Sequence, residues 1–198
     1  MSYNIHHGLF TVETGIKLTD DAILPVLQIV YENKGVEYVP PSVLTWAGYP
    51  HVGIPDLSHS QRVVLAVHLG ISESDGHWVL VTYENKAVTV YDSLNSSVIC
   101  PQLRQVIDRV FGFADTVQIV PVVTTQRNSV DCGVLVVAFA TEFAFGRDPA
   151  TARFEYDALR PHLAFMLRSK RFVAFPKLVS IGIASERQRV IVPAKKSP

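Results

Sequence analysis

Cysteine is nearly absent from this sequence: its 198 residues hold two, Cys100 and Cys132. Two thiols cannot form the disulfide framework of a small secreted domain, nor a structural zinc site built mainly on thiolates. Such usage fits a reducing intracellular compartment, nucleus or cytoplasm. Neither sign of charge is in excess. Eighteen basic residues balance eighteen acidic ones, for a formal net charge of zero and a pI near 7.1, so no whole-molecule field draws the chain to nucleic acid or to an anionic membrane. No stretch approaches the ~20 apolar residues of a membrane span. The opening "MSYNIHHGLF" lacks the basic segment and apolar run of a signal peptide. The expectation is a soluble, unexported protein. His6 and His7 have no third ligand nearby and are read as a surface pair, not a metal site.

What is plentiful is hydrophobic surface, 48% of residues, ample for a sizeable core in a chain of this length. A single domain over residues 1–198 is expected, without repeats or low-complexity tracts. Residues 18 to 35, "LTDDAILPVLQIVYENKG", predict a helix with Thr19 as N-cap, two aspartates in the first turn and Gly35 at the stop. Pro25 lies early enough to shift its start. Residues 36 to 60 carry four prolines and read as a long irregular connection. Three strands follow at 62 to 70, 77 to 84 and 87 to 93, the last two joined by Asn85 and Lys86 as a hairpin. A helix at 101 to 113, a strand at 116 to 123, a buried helix from Cys132 onward and a last amphipathic helix, kinked or interrupted at Pro161, complete the pattern. Residues 177 to 198 read as a weak Val/Ile pattern with a fraying tail. The order of elements predicts α+β with a mostly antiparallel sheet flanked by helices.

Cys132 stands between Asp131 and Gly133 at the start of the buried helix. A helix N-terminus stabilises a thiolate through unpaired N–H groups and its dipole. A free cysteine there is also an ordinary small hydrophobe, and the tripeptide alone leaves both readings open. A nucleophile needs a base, and the base needs an orienter. His77 begins one hairpin strand and Asp92 ends the next, so the hairpin brings them side by side. Attack on a carbonyl also needs donors for the oxyanion, commonly a backbone N–H and a side-chain amide. Gln126, six residues before Cys132, and the Cys132 N–H fit that need. Cys100, between Ile99 and Pro101, has no base in the pattern and is read as inert.

In this order, His77-Trp78 opening a strand, Asp92-Ser93 closing the next, and Gln126 separated by five residues from Cys132-Gly133, the sequence resembles the papain-like cysteine proteases that process ubiquitin-like modifiers. These are the SUMO-specific proteases and their relatives, with the adenovirus-type protease as a cousin. The likeness spans about residues 16–176 and leaves 177–198 as a C-terminal extension. "LTDDAI" resembles the family's Leu-Asn-Asp-Glu-Ile opening, and "VQIVPVVTTQRNSVDCGVLVVAFA" resembles the branch associated with mobile elements. The resemblance implies Cys132 as nucleophile, His77 as general base, Asp92 as its orienter and Gln126 as oxyanion donor, with no metal and no cofactor. It implies ubiquitin or a ubiquitin-like protein, SUMO or NEDD8-like, and its conjugates as partner. Trp78 is implied to wall a narrow channel for a Gly-Gly tail. The opposite wall is usually a tryptophan where this chain has Lys17, and Trp46 is the candidate replacement.

The activity so implied is a thiol-dependent isopeptidase cutting after the C-terminal Gly-Gly of ubiquitin or a ubiquitin-like modifier. Lys17 points toward a divergent relative such as a deubiquitinase. An adenovirus-like endopeptidase and a catalytically idle modifier-binding module are the alternatives, the second opposed by the presence of all four site residues. Asp131 is expected to face away from Cys132, because a carboxylate beside a thiolate would raise the thiol pKa.

Overall fold

The apolar runs at 63–67, 78–83 and 88–91 send side chains to both faces of a sheet, and two hydrophobic layers result. The computed structural model describes residues 4–40, 57–70, 76–112, 114–178 and 190–193. Strands β2 (Arg62–Leu69), β3 (His77–Glu84) and β4 (Ala87–Tyr91) are antiparallel neighbours. Val64, Ala66, Trp78 and Leu80 enter one core, while Val63, Leu65, Val67, Val79 and Val81 enter a second core on the opposite face. A period of two thus feeds both layers. The turn between β3 and β4 puts Asn85 and Lys86 at φ 52° and 63°, the left-handed pair that a tight hairpin of this twist demands.

β1 (Glu37–Val39) adds to β2 in parallel, β5 (Thr116–Ile119) adds to β4 in parallel, and β6 (Val190–Pro193) adds to β5 antiparallel. The described sheet has six strands in the order β1-β2-β3-β4-β5-β6, three of its five pairings antiparallel. β6 falls in the weak Val/Ile pattern of 177–198 and extends into the start of the stretch read as a fraying tail. Its backbone covers the edge that β5 would otherwise present unpaired.

Among the described residues four α-helices pack on the first face and one on the second. α1 (Ile5–Glu13) and α2 (Asp20–Lys34) precede the sheet, and α3 (Pro101–Phe111) presents Leu103, Val106, Ile107 and Val110 to the second core. α4 (Cys132–Ala144) is buried along its entire length, as expected of a helix apolar all round. α5 (Leu159–Ser169) closes the first core with Leu159, Leu163 and Met166. Among the described residues no helix is long and apolar enough to cross a membrane.

Three local expectations are corrected. α1 lies where the sequence suggested no element. Pro161 neither kinks nor interrupts α5, because it falls in the first turn, where a missing N–H has no intrahelical partner to lose. α2 starts at Asp20 despite Pro25 and stops at Gly35 with φ 62°, but the Thr19 hydroxyl makes no cap bond and has no hydrogen-bond partner. Pro25 leaves the Asp21 carbonyl without its helical donor. That carbonyl lies against α1, where a Cβ on Gly8 would sit 2.3 Å from the oxygen, so glycine is required by close approach. His7, half of the histidine pair, contacts the Asp21 carboxylate at 2.9 Å and ties α1 to α2.

Phe139 fills the centre of the first core, fully buried between the rings of Tyr91 and Phe154. Replacing it with alanine is expected to lower unfolding free energy by about 3–5 kcal/mol through lost burial and a residual cavity, read as a lower urea midpoint at unchanged slope.

Candidate active site

Cys132 is the first residue of α4 and is 1% exposed. Gly133 follows because α4 begins in tight contact with the segment leading into α2 and with β3. A Cβ on Gly133 would lie 2.9 Å from the Leu18 Cβ and 3.2 Å from the Trp78 ring. The glycine lets the thiol approach the start of β3, where His77 stands.

The His77 Nε2 is 2.6 Å from an Asp92 carboxylate oxygen, and the same ring hydrogen-bonds the Cys132 side chain. With Nε2 committed to Asp92, the thiol is left to Nδ1. The hairpin creates this row. Leu80 pairs with Tyr91, so one residue further along Asp92 stands across from Val79, diagonal to His77. Asp92 is itself anchored, accepting the Leu94 N–H at 2.9 Å.

Burial alone would push the His77 ring toward its neutral form. The Asp92 and Cys132 hydrogen bonds and charges outweigh it and hold the imidazole up at about 9. Burial likewise opposes the Cys132 thiolate, but the His77 hydrogen bond, the backbone of Trp78, the His77 charge and the Gly133 backbone bring the thiol below its ordinary value. Asp92 is also held low, its hydrogen bonds outweighing burial. A thiolate facing an imidazolium is the state these shifts favour.

Asp131 is prevented from opposing that thiolate. Its carboxylate takes the Arg160 guanidinium at 2.7 Å, the Asn128 amide at 2.6 Å and the Tyr156 hydroxyl at 2.9 Å. These contacts outweigh burial and keep it ionised, with its charge matched by Arg160. The donors are side chains from three segments. Arg160 also donates to the carbonyls of Thr11, Val12, Ile16 and Val130, joining the end of α1 to the loop before Cys132. Burial and the Asp131 carboxylate push Tyr156 up to about 12, so its hydroxyl stays a donor. Sequence reasoning missed Arg160, Tyr156 and Asn128. The signal was slight: an unpaired arginine beside a proline, and an Asn three residues before an Asp.

Gln126 lies on the loop before α4, its backbone N–H on the Ser93 carbonyl at 3.1 Å and its side chain between Ser93 and Asn128. Trp78 is 3% exposed, with its indole N–H on the Leu18 carbonyl at 2.9 Å and its ring against His68. In this state the ring belongs to the first core and is not an open wall. What Trp78 brings to the thiol is backbone. Lys17 donates to the Gly76 carbonyl at 2.7 Å, one residue before His77. Trp46 lies outside the described residues. Cys100 caps α3 through its backbone, away from this cluster. Among the described residues no group of three or more His, Cys, Asp or Glu side chains could hold a metal ion.

A cysteine at the start of a central buried helix, facing a histidine and an acid on adjacent strands of the sheet, is the arrangement of a papain-like α+β cysteine-protease fold, of the type found in proteases of ubiquitin-like modifiers. The match to the Ulp1 protease family, C-terminal catalytic domain, covers residues 56–172, more than half of the chain and all four of His77, Asp92, Gln126 and Cys132. The chain belongs to this family. Comparison with curated protein sequences finds no significant match. Among solved structures it is similar to the SUMO protease Ulp1 with its catalytic cysteine oxidised to a sulfenic acid (TM-score 0.60, 14% identity, 82% of each chain). It is also similar to the C-terminal Ulp1 protease domain in complex with Smt3, the yeast ortholog of SUMO (0.58, 14%, 82% of this chain and 81% of that one). The catalytic domain of the Chaetomium thermophilum Ulp1-like SUMO protease gives 0.51 at 18% identity over 80% of this chain and 74% of that one. At such identities the likeness is one of fold.

The electrostatics predict a pH profile. Iodoacetamide alkylation of Cys132, followed by peptide mass, should rise with pH at a midpoint below that of an ordinary thiol. Asp92→Asn removes the charge that keeps His77 protonated, so the imidazole pKa falls from about 9, the thiolate loses its partner and the midpoint moves up. An unmoved midpoint would separate Asp92 from the thiol's acidity.

Proposed function

We propose that this domain is a thiol isopeptidase that hydrolyses the bond after the C-terminal Gly-Gly of a ubiquitin-like modifier. The observation that carries the reading is the hydrogen-bonded row Cys132–His77–Asp92, with its imidazole raised and its thiol lowered, inside the stretch that matches the family. The Cys132 sulfur attacks the glycine carbonyl. The oxyanion is held by the Cys132 N–H and the Gln126 side-chain amide. His77 gives its proton to the departing lysine amine, leaving a thioester. It then takes a proton from water, which attacks the thioester and frees the glycine carboxylate and the thiol. Asp92 holds the ring with Nε2 on its carboxylate and Nδ1 toward sulfur throughout.

SUMO is the first modifier to test, since the fold neighbours are named as SUMO proteases and one is bound to Smt3. Ubiquitin is the second. Lys17 and the covered Trp78 ring favour a tail path that differs from two facing indoles.

The test is incubation with SUMO and with ubiquitin, each carrying a C-terminal propargylamide, followed by intact mass. An adduct with one of them, lost in Cys132→Ala, supports the proposal and names the modifier. Binding without an adduct sinks it in favour of a binding module, and cleavage of peptides without either adduct sinks it in favour of an endopeptidase. Gln126→Ala is expected to lower kcat by ~10²–10³ while leaving iodoacetamide alkylation of Cys132 unchanged.

A further inference from the structure

Ser93 follows Asp92 and is 1% exposed. Its hydroxyl donates to the Gln126 Oε1 at 2.7 Å and its carbonyl accepts the Gln126 backbone N–H at 3.1 Å. At the other end of the amide, the Gln126 Nε2 donates to the Asn128 carbonyl at 2.8 Å. A backbone carbonyl only accepts, so the amide atom beside Asn128 has to be the nitrogen. The atom beside Ser93 is then the oxygen, and the serine has to donate. The amide is locked in one of its two orientations. One of its two N–H groups is spent on Asn128, and the second is left as a donor.

We infer that Ser93 is a positioning residue: its buried hydroxyl holds the oxygen end of the Gln126 amide and, with the Asn128 carbonyl at the other end, fixes where the remaining N–H points. Resting on the isopeptidase reading, the inference gives the oxyanion donor its support. Without the Ser93 hydroxyl the amide oxygen loses its donor, and the amide, left on the single Asn128 contact, swings out to water. Oxyanion stabilisation depends on donors fixed before the reaction, so loss of orientation costs rate even though Gln126 is intact. The arrangement also makes two jobs share one corner. Asp92 orients the imidazole, its neighbour Ser93 orients the amide, and the end of β4 sets both.

The experiment uses the full chain with Ser93→Ala, Gln126→Ala and the double variant. Ser93→Cys, which keeps the volume and donates only weakly, takes the place of the alanine if that variant melts early. On SUMO–aminomethylcoumarin or ubiquitin–aminomethylcoumarin, whichever the natural sequence turns over, Ser93→Ala should lower kcat by ~10- to 100-fold with little change in KM, a share of the full oxyanion effect. In the Gln126→Ala background it should cost nothing more. Iodoacetamide alkylation of Cys132 should keep its pH profile, because it forms no oxyanion. In NMR relaxation, the Gln126 side-chain amide should be ordered in the natural sequence and mobile in the serine variant. An equal loss with and without Gln126, or an amide as ordered without the hydroxyl as with it, overturns the inference. Turnover of neither substrate would defeat the functional reading alone, and the amide's order would still decide the role of Ser93.

Discussion

The 2.6 Å contact between the His77 ring and the Asp92 carboxylate is the interaction on which the site turns. Two buried groups of opposite charge demand each other there. An imidazolium with 21% of its side chain exposed is poorly solvated, and so is a carboxylate at 9%, so burial pushes each toward its neutral form. Held together, they leave the second ring nitrogen protonated toward Cys132 and make a thiolate tolerable in a place with 1% exposure. The hairpin register provides the contact, because Asp92 falls diagonal to the first residue of β3.

A second constraint is less visible and runs through Asp131. A carboxylate adjoining Cys132 would work against its thiolate, and the fold answers by aiming it at Arg160, Tyr156 and Asn128. Arg160 comes from α5 and reaches both the loop before α4 and the carbonyls at the end of α1. The last helix therefore fixes where α4 begins. Since Cys132 is the first residue of α4, whatever holds that helix start holds the sulfur.

Much of the architecture was legible because the local signals agreed. The short apolar, β-branched runs at 62–70, 77–84 and 87–93, with Asn85-Lys86 between the latter two, needed no tertiary information to read as strands and a hairpin. The helices at 20–34, 101–111 and from 132 showed their apolar spacing and, for the first, their Gly35 stop. Elsewhere local signals were weak. α1 is only nine residues long and is held by Gly8 packing on Asp21 and by His7 on its carboxylate, which are partners supplied by another helix. β6 is four residues whose reason to be a strand is the open edge of β5. Thr19 shows the converse: a good cap by type, its hydroxyl is left without a partner by the surrounding structure.

The sequence by itself determined which candidate residues stand at the ends of these elements. Cys132, His77, Asp92 and Gln126 are chemically apt types at the ends of elements whose periods are written locally, and hairpin geometry follows from two residues of turn. What only the tertiary structure decided is how those groups are held. Ser93 on the Gln126 amide joins residues 33 apart, Arg160 on Asp131 joins residues 29 apart, and the Trp78 ring turns into the core with its N–H on Leu18. Each is a hydrogen bond between distant segments, and its free energy is available only after burial has removed water as the competing partner, so no local pattern announces it.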